Sequence, residues 1–230
     1  MARQYEVQRG DSLSKVAQEF YNDASLFRKL AEYNGIRDPR LILVGQVLEI
    51  PSKRELIGEE PQPPAENLGL LPPHGLEGIL STFGNPQHYL RTDGTLSARW
   101  EAERLGRTRL PFAIPLSWDH TRVMRNLRCH SELRRIFAAV FREIESRNLH
   151  SRIRTFGGCY NFRTKRSGGK LSTHCWGIAI DLNPETNRMG SLGDMHPDVI
   201  EVFREHGFKW GGDWPGRSKD PMHFQFCTGY

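Results

Sequence analysis

No stretch of this 230-residue sequence approaches the roughly 18 consecutive apolar residues that a membrane-spanning helix needs. The opening residues, MARQYEVQRGDS, hold no apolar run for a secretion machinery to read, so no classical signal peptide is expected. Cysteine is scarce. Cys129, Cys159, Cys175 and Cys227 form no CxxC pair and show no zinc-finger spacing; so few cysteines allow disulfides without implying them, and free thiols are the expectation. Also missing are a recognition-helix arrangement and an aromatic RNA-binding signature, so nucleic acid is not the expected partner. The net charge is nevertheless +5, and it is unevenly placed. Residues 1–51 hold seven basic and seven acidic side chains, leaving 25 basic against 20 acidic beyond them. Such a field favours an anionic partner, an anionic cell wall among them.

What is present is an ordinary globular balance, 37% apolar and 26% charged residues, on a chain long enough for one large or two modest domains. Between Pro51 and Pro73 the sequence PSKRELIGEEPQPPAENLGLLPP has six prolines and little periodicity, the composition of a semi-stiff linker. It predicts a domain over 1–51, a linker over 52–73 and a second domain over 74–230.

The first segment predicts a strand over Tyr5 to Val7, then a helix capped by Asp11 with Leu13, Val16, Ala17 and Phe20 on one face. A second helix, capped by Ser25, buries Leu26, Phe27, Leu30 and Ala31 and stops at Asn34 and Gly35. A closing strand runs from Gln46 to Ile50. This βααβ layout, with YEVQRGDSLSKVAQEF, LAEYNGI and LILVGQVLEIP, resembles a LysM domain along its length. The resemblance implies binding of N-acetylglucosamine-containing glycan through Gly10, Asp11, Ser12 and Leu13 and through Asn34, Gly35 and Ile36. Read without it, Asp11 and Asn34 are simply a helix cap and a helix stop.

The second segment predicts a helix over SELRRIFAAVFREIES with Leu133, Ile136, Phe137, Val140, Phe141 and Ile144 inward behind a Ser131 cap. Another follows over HPDVIEVFREHG, with Val199, Val202 and Phe203 inward and Gly207 at its stop. Strand-like runs at 152–156, 178–183 and 222–226 complete an α+β domain with a small antiparallel sheet.

Within LSTHCWGIAIDLNP, His174 and Asp181 are seven residues apart, so one regular strand would point them to opposite faces. They converge only if the backbone turns, and Gly177 permits the turn. Beyond it Ala179 and Asp181 share a face, and in DPMHFQF so do His223 and Gln225. A carboxylate and histidines on apolar strands are costly to bury alone. Two His nitrogens and one carboxylate are a common catalytic zinc set, leaving a fourth position for water.

The spacing SxHxxGxAxD, met by Ser172, His174, Gly177, Ala179 and Asp181, together with DxxH at 220–223, resembles the zinc D-alanyl-D-alanine carboxypeptidase family. That family includes endolysins cutting the L-alanyl-D-glutamate bond. GGCYNFR, GFKWGGDW and GLEGILSTFGNP also resemble its members. The resemblance implies one Zn2+ held by His174, Asp181 and His223, with Asp220 as general base in a place where many members carry glutamate. Arg163 would hold the scissile carbonyl or a substrate carboxylate, and Ser172, Tyr160, Trp176, Trp210 and Trp214 would wall the cleft. Zinc would make hydroxide available near neutral pH, with Asp220 moving the proton and Arg163 meeting the growing negative charge.

The implied whole is a LysM-targeted peptidoglycan peptidase acting at the bacterial cell wall, released by lysis or delivered by a phage or tail-like injection device. A flexible linker of this length spaces two domains on the order of 25–30 Å apart. Two other readings stand beside it: a non-catalytic peptidoglycan binder, and a closed structural zinc site using Cys175 or Cys227 beside His174 and His223.

Overall fold

A computed structural model describes residues 3–21, 23–51, 53–57, 69–165 and 169–230. The chain divides into two compact units, Met1–Pro63 with His196–Glu201, and Pro64–Met195 with Val202–Tyr230. No helix among the described residues is long and apolar enough to cross a membrane.

In the first unit β1 (Arg3–Glu6) pairs antiparallel with β2 (Val47–Ile50), and α1 (Leu13–Tyr21) and α2 (Phe27–Tyr33) lie between them in the chain. The apolar spacing behaves as expected: Leu13, Val16, Ala17, Phe20, Leu26, Leu30, Leu48 and Ile50 form one core, with Tyr5 edge-on to Phe20 at 5.3 Å. Two caps differ from the sequence reading. Asp11 turns back to accept from Gln8 N and from Tyr5 Oη, both at 2.7 Å, and Ser12 Oγ takes the cap of α1 by accepting from Lys15 N at 3.3 Å. Ahead of α2, Asp23 Oδ1 accepts from Ser25 N at 3.0 Å and from Ser25 Oγ, so Ser25 is the donor and Asp23 the cap. Of the expected linker, Ser52 and residues 58–68 lie outside the described residues. Lys53–Ile57 form a short helix, α3, whose Leu56 is buried in this same core. The periodicity of five residues was too brief to stand out beside six prolines.

Among the described residues the second unit is built on a six-stranded sheet in the order β4 (Asp119–His130), β3 (Leu105–Leu116), β5 (Phe156–Gly158), β6 (Ala179–Leu182), β8 (His223–Gln225), β7 (Lys209–Trp210), and mixed helices complete the α+β class. Before it come α4 (Gly75–Phe83), which buries Ile79 and Phe83, and α5 (Ala98–Arg104), capped by Ser97 and burying Trp100. A twelve-residue hairpin follows, β3 (Leu105–Leu116) against β4 (Asp119–His130). Sequence patterning does not single it out. Gly106, Pro111 and Pro115 read as turn residues, and the register shift between Arg109 and Ile114 breaks the two-residue alternation. α6 (Arg134–Ser146) buries the face expected of it, entered through a 3-10 turn over Ser131–Leu133. His130, not Ser131, supplies the cap, its ring accepting from Glu132 N.

β5 (Phe156–Gly158) starts four residues and ends two residues beyond the expected run, because His150–Arg152 is a 3-10 turn. β6 (Ala179–Leu182) pairs antiparallel with β5 and with β8 (His223–Gln225), and β8 with β7 (Lys209–Trp210). The sheet is not purely antiparallel, since β3 meets β5 in parallel at Leu116 and Phe156. α7 (Pro197–Glu205) places Phe203 flat on Phe224 with ring centroids 4.2 Å apart. Such a pair contributes about 0.5–1.5 kcal/mol beyond its area burial, and it anchors the strand that carries His223.

Candidate metal centre

Alternation along β6 sends Ile180 and Leu182 into the core and leaves Ala179 and Asp181 on the other face. On the neighbouring strand His223 is the direct partner of Asp181, and Gln225 of Ala179. Directly opposed residues of an antiparallel pair share a face, so the acid, the histidine and the glutamine meet on one side of the sheet.

His174 arrives from outside the sheet. It lies in a 3-10 turn, Thr173–Trp176, whose cap is Ser172 Oγ accepting from His174 N at 3.3 Å. The turn ends at Gly177 in the left-handed region, φ 66° and ψ 30°, which is the bend the seven-residue spacing demanded. A Cβ on Gly177 would stand 2.9 Å from His130 N and 3.1 Å from the Cys129 carbonyl carbon. Gly177→Ala is therefore expected to cost about 1–3 kcal/mol or more in a denaturant titration, from strain and from that contact together.

His174 Nδ1 donates to the Cys159 carbonyl at 2.7 Å, since a carbonyl oxygen can only accept. That fixes the tautomer and leaves Nε2 bare, 3.3 Å from Asp181 Oδ2 and buried without a hydrogen-bond partner. His223 is held at its other end. Gln225 donates its amide NH2 toward the Cys227 and Tyr230 carbonyls, so its Oε1 faces His223 Nε2 at 3.1 Å and calls for a hydrogen there. His223 Nδ1 is then turned to Asp181 Oδ1 at 3.0 Å. One ligand atom from each of His174, Asp181 and His223 lies within 4.8 Å of the others. Lone pairs from two imidazoles and a carboxylate converge on one small space, with the two outer ring nitrogens hydrogen-bonded in the manner of metal-binding histidines. The donor set fits a divalent cation.

The electrostatics point the same way. Burial works against the charged form of His174, but the Asp181 carboxylate overrides it and the net shift is upward. Burial would raise Asp181, yet the two histidines pull it well below the ordinary carboxylate range. The thiols stand apart. All four cysteines are free and buried, and burial pushes Cys129 and Cys227 up to about 12. Cys175 is engaged elsewhere: its Sγ accepts from Arg163 N at 3.2 Å and donates to Arg163 O at 2.9 Å. No cysteine belongs to the donor cluster found among the described residues, which removes the closed thiolate site as a reading.

The donors lie in a cleft of about 400 Å³. Of the residues singled out in sequence, Arg163, Ser172, Trp214 and Asp220 line it. Trp214 is tilted over His223 with centroids 5.4 Å apart. Asp220 starts the turn into β8, its carbonyl accepting from His223 N at 3.0 Å. Three aromatics go elsewhere. Trp176 is fully buried and donates Nε1 to the Gly84 carbonyl, Trp210 donates to the Pro221 carbonyl, and Tyr160 carries the Arg128 guanidinium over its ring at 5.2 Å. Packing claims an aromatic ring as readily as a ligand does, and spacing alone does not separate the two. Sequence reasoning missed Lys165, Thr173, Met222 and Tyr230 in the cleft wall, and missed the bracing part of Gln225 although its face was legible.

In the first unit Gly10 and Gly35 have positive φ, and Ile36 packs partly against the core. Leu13 is core, 1% exposed. The Asn34 amide is spent on Leu30 O, Glu49 O and Glu49 N, tying α2 to β2.

Residues 5–51 match the LysM domain family, and residues 165–226, which include the three donors and Asp220, match the D-alanyl-D-alanine carboxypeptidase family. The chain pairs a LysM domain with a D-alanyl-D-alanine carboxypeptidase family domain. The chain is also similar to the peptidoglycan L-alanyl-D-glutamate endopeptidase CwlK of Bacillus subtilis, 34% identical over an alignment of 92 residues that covers 35% of this chain and 53% of that protein. Further matches are an uncharacterized protein of Deinococcus radiodurans, 51% identical over 47 residues (20% of this chain, 19% of that one), and an esterase of Mycobacterium tuberculosis, 56% over 46 residues (20% and 10%). The chain thus spans between a tenth and about half of the length of these relatives. No solved structure matches.

Proposed function

We propose that this chain is a zinc-dependent peptidase of peptidoglycan stem peptides, with its LysM domain holding it to the glycan. The observation that carries the reading is the convergence of His174 Nε2, Asp181 and His223 Nδ1 inside a cleft that also holds Asp220 and Arg163. His174, Asp181 and His223 would hold the ion. When bound there, zinc supplies Lewis-acid polarisation and water of lowered pKa.

The remaining work falls to the chain itself. Asp220 accepts the proton of the attacking water and returns it to the departing amine. Arg163, whose backbone the Cys175 thiol pins at both N–H and C=O, faces the oxygen on which negative charge develops. Gln225 and the Cys159 carbonyl hold the two imidazoles in the tautomers that ligation needs. Trp214 and Ser172 form the walls. In the LysM domain the edges at Gly10 to Ser12 and at Gly35 and Ile36 are the glycan contacts, while Leu13 and Asn34 shape the loops behind them. The domains run over 1–51 and 74–230, the residues between acting as tether, with Leu56 of α3 adding to the LysM core. Tethering raises the concentration of the peptidase domain at its own polymer.

The similarity to CwlK favours the L-alanyl-D-glutamate bond over the terminal D-alanine. Digestion of purified wall, with products identified by mass, tests both steps. New amino termini on D-glutamate are expected; free D-alanine instead would move the cut to the chain end, and release of neither would end the peptidase reading.

A further inference from the structure

The cleft holds a second cation that the proposed mechanism does not use. Lys165 lines it two residues after Arg163, on an arm of chain held by the antiparallel Thr164 and Leu171 bridge and by Lys165 N donating to Lys170 O at 2.8 Å. Residues two apart on an extended arm share a face, so both cations turn to the same space. Among the described residues neither makes an ion pair with an acid; the Arg163 guanidinium donates to the Thr164 carbonyl at 3.4 Å. The Lys165 ammonium instead sits 4.0 Å from the centre of the Tyr230 ring. Tyr230 is fixed as a platform by its hydroxyl, which donates to the Leu171 carbonyl at 2.8 Å. A half-buried ammonium with only a ring face beneath it keeps its donors for a ligand. Burial, the larger influence on it, shifts its pKa downward.

The ligand must carry one negative charge close to the scissile bond, because Asp181 and Asp220 in the same cleft repel a more highly charged group. In both bonds considered above, the carbon that bears the departing nitrogen also bears a carboxylate. This is true of terminal D-alanine, and of D-glutamate when its chain continues through the side-chain carboxyl. We propose that Lys165, seated on Tyr230, is a specificity-determining residue that binds this leaving-side α-carboxylate. The inference rests on the peptidase reading and assigns to Lys165 a task separate from that of Arg163, which meets the scissile carbonyl.

The test uses matched stem peptides whose leaving-side carboxylate is free or converted to the carboxamide, with wild type, Lys165→Gln and Lys165→Arg. Wild type is expected to prefer the free acid by roughly ten- to a hundredfold in kcat/KM, the range set by one charge-assisted hydrogen bond. In Lys165→Gln that ratio should fall close to one, and in Lys165→Arg most of it should remain. A wild-type ratio near one, or a ratio unchanged in Lys165→Gln, overturns the proposal. If wild type cuts neither peptide, the peptidase reading fails, and the subsite is then decided by binding. Lysines of the full chain are 13C-methylated, which preserves their charge, and the Lys165 resonance is identified by its loss in Lys165→Arg. A shift of that resonance with a D-glutamate-headed product peptide but not with its carboxamide supports the subsite; equal response or none overturns it.

Discussion

His174→Ala is expected to lower the rate of wall digestion by about 10³ or more and to leave the purified protein without stoichiometric metal. Loss of the ion removes several kcal/mol of charge stabilisation, and each 1.36 kcal/mol is tenfold in rate. The variant should still fold. His174 stands in a 3-10 turn outside the sheet, and the turn's cap uses the backbone N–H of residue 174, not the ring. What the truncation does leave behind is Asp181, partly buried and short of one of its two partners. Metal content, read by elemental analysis, and far-ultraviolet circular dichroism separate loss of the site from loss of the fold. Full activity with one zinc per chain would mean that the donors lie elsewhere.

Asp220→Asn is expected to keep the metal and lose turnover, with kcat down by about 10²–10⁴, the usual contribution of a positioned general acid–base. Asparagine preserves the shape at the turn, where Asp220 N donates to the Gly211 carbonyl at 2.8 Å, and removes only the proton acceptor. Asp220→Glu should recover part of the loss, because the carboxylate returns on a longer arm. A kcat within tenfold of wild type in Asp220→Asn, with KM unchanged, would assign the proton transfer to another group.

Much of this site is legible in the sequence. The parity of a strand places Ala179 with Asp181 and His223 with Gln225, and a seven-residue offset between His174 and Asp181 requires a bend that Gly177 alone in that stretch can make without strain. Those are local rules of backbone geometry, and local rules survive folding. The helix faces of α1 and α6 were legible for the same reason. What escaped notice depends on partners distant in sequence. The β3–β4 hairpin hides its alternation behind prolines and a register shift, and only pairing reveals it. Trp176 and Trp210 could not be told from cleft residues, since the acceptors of their indole N–H groups, Gly84 O and Pro221 O, lie 92 and 11 residues away. The setting of Lys165 depends on Tyr230, 65 positions away, whose ring lies beneath its ammonium. The caps were misassigned by one or two residues wherever two polar side chains compete, as at Asp11 with Ser12 and at Asp23 with Ser25.

The rung that joins Asp181 to His223 has a bearing on how such a cleft can diversify. The distance between those two side chains is set by the strand ladder and not by the chain between them, although they are 42 positions apart in sequence. Residues of that connection, among them Met189, Trp214 and Ser218, form part of the cleft rim. Insertions, deletions and exchanges there can recut the mouth of the site while the donor spacing stays constant, so long as the register of β6 on β8 holds. Shifting that register by one residue would do the opposite, turning His223 into the core and leaving every rim residue in place around a centre that no longer exists.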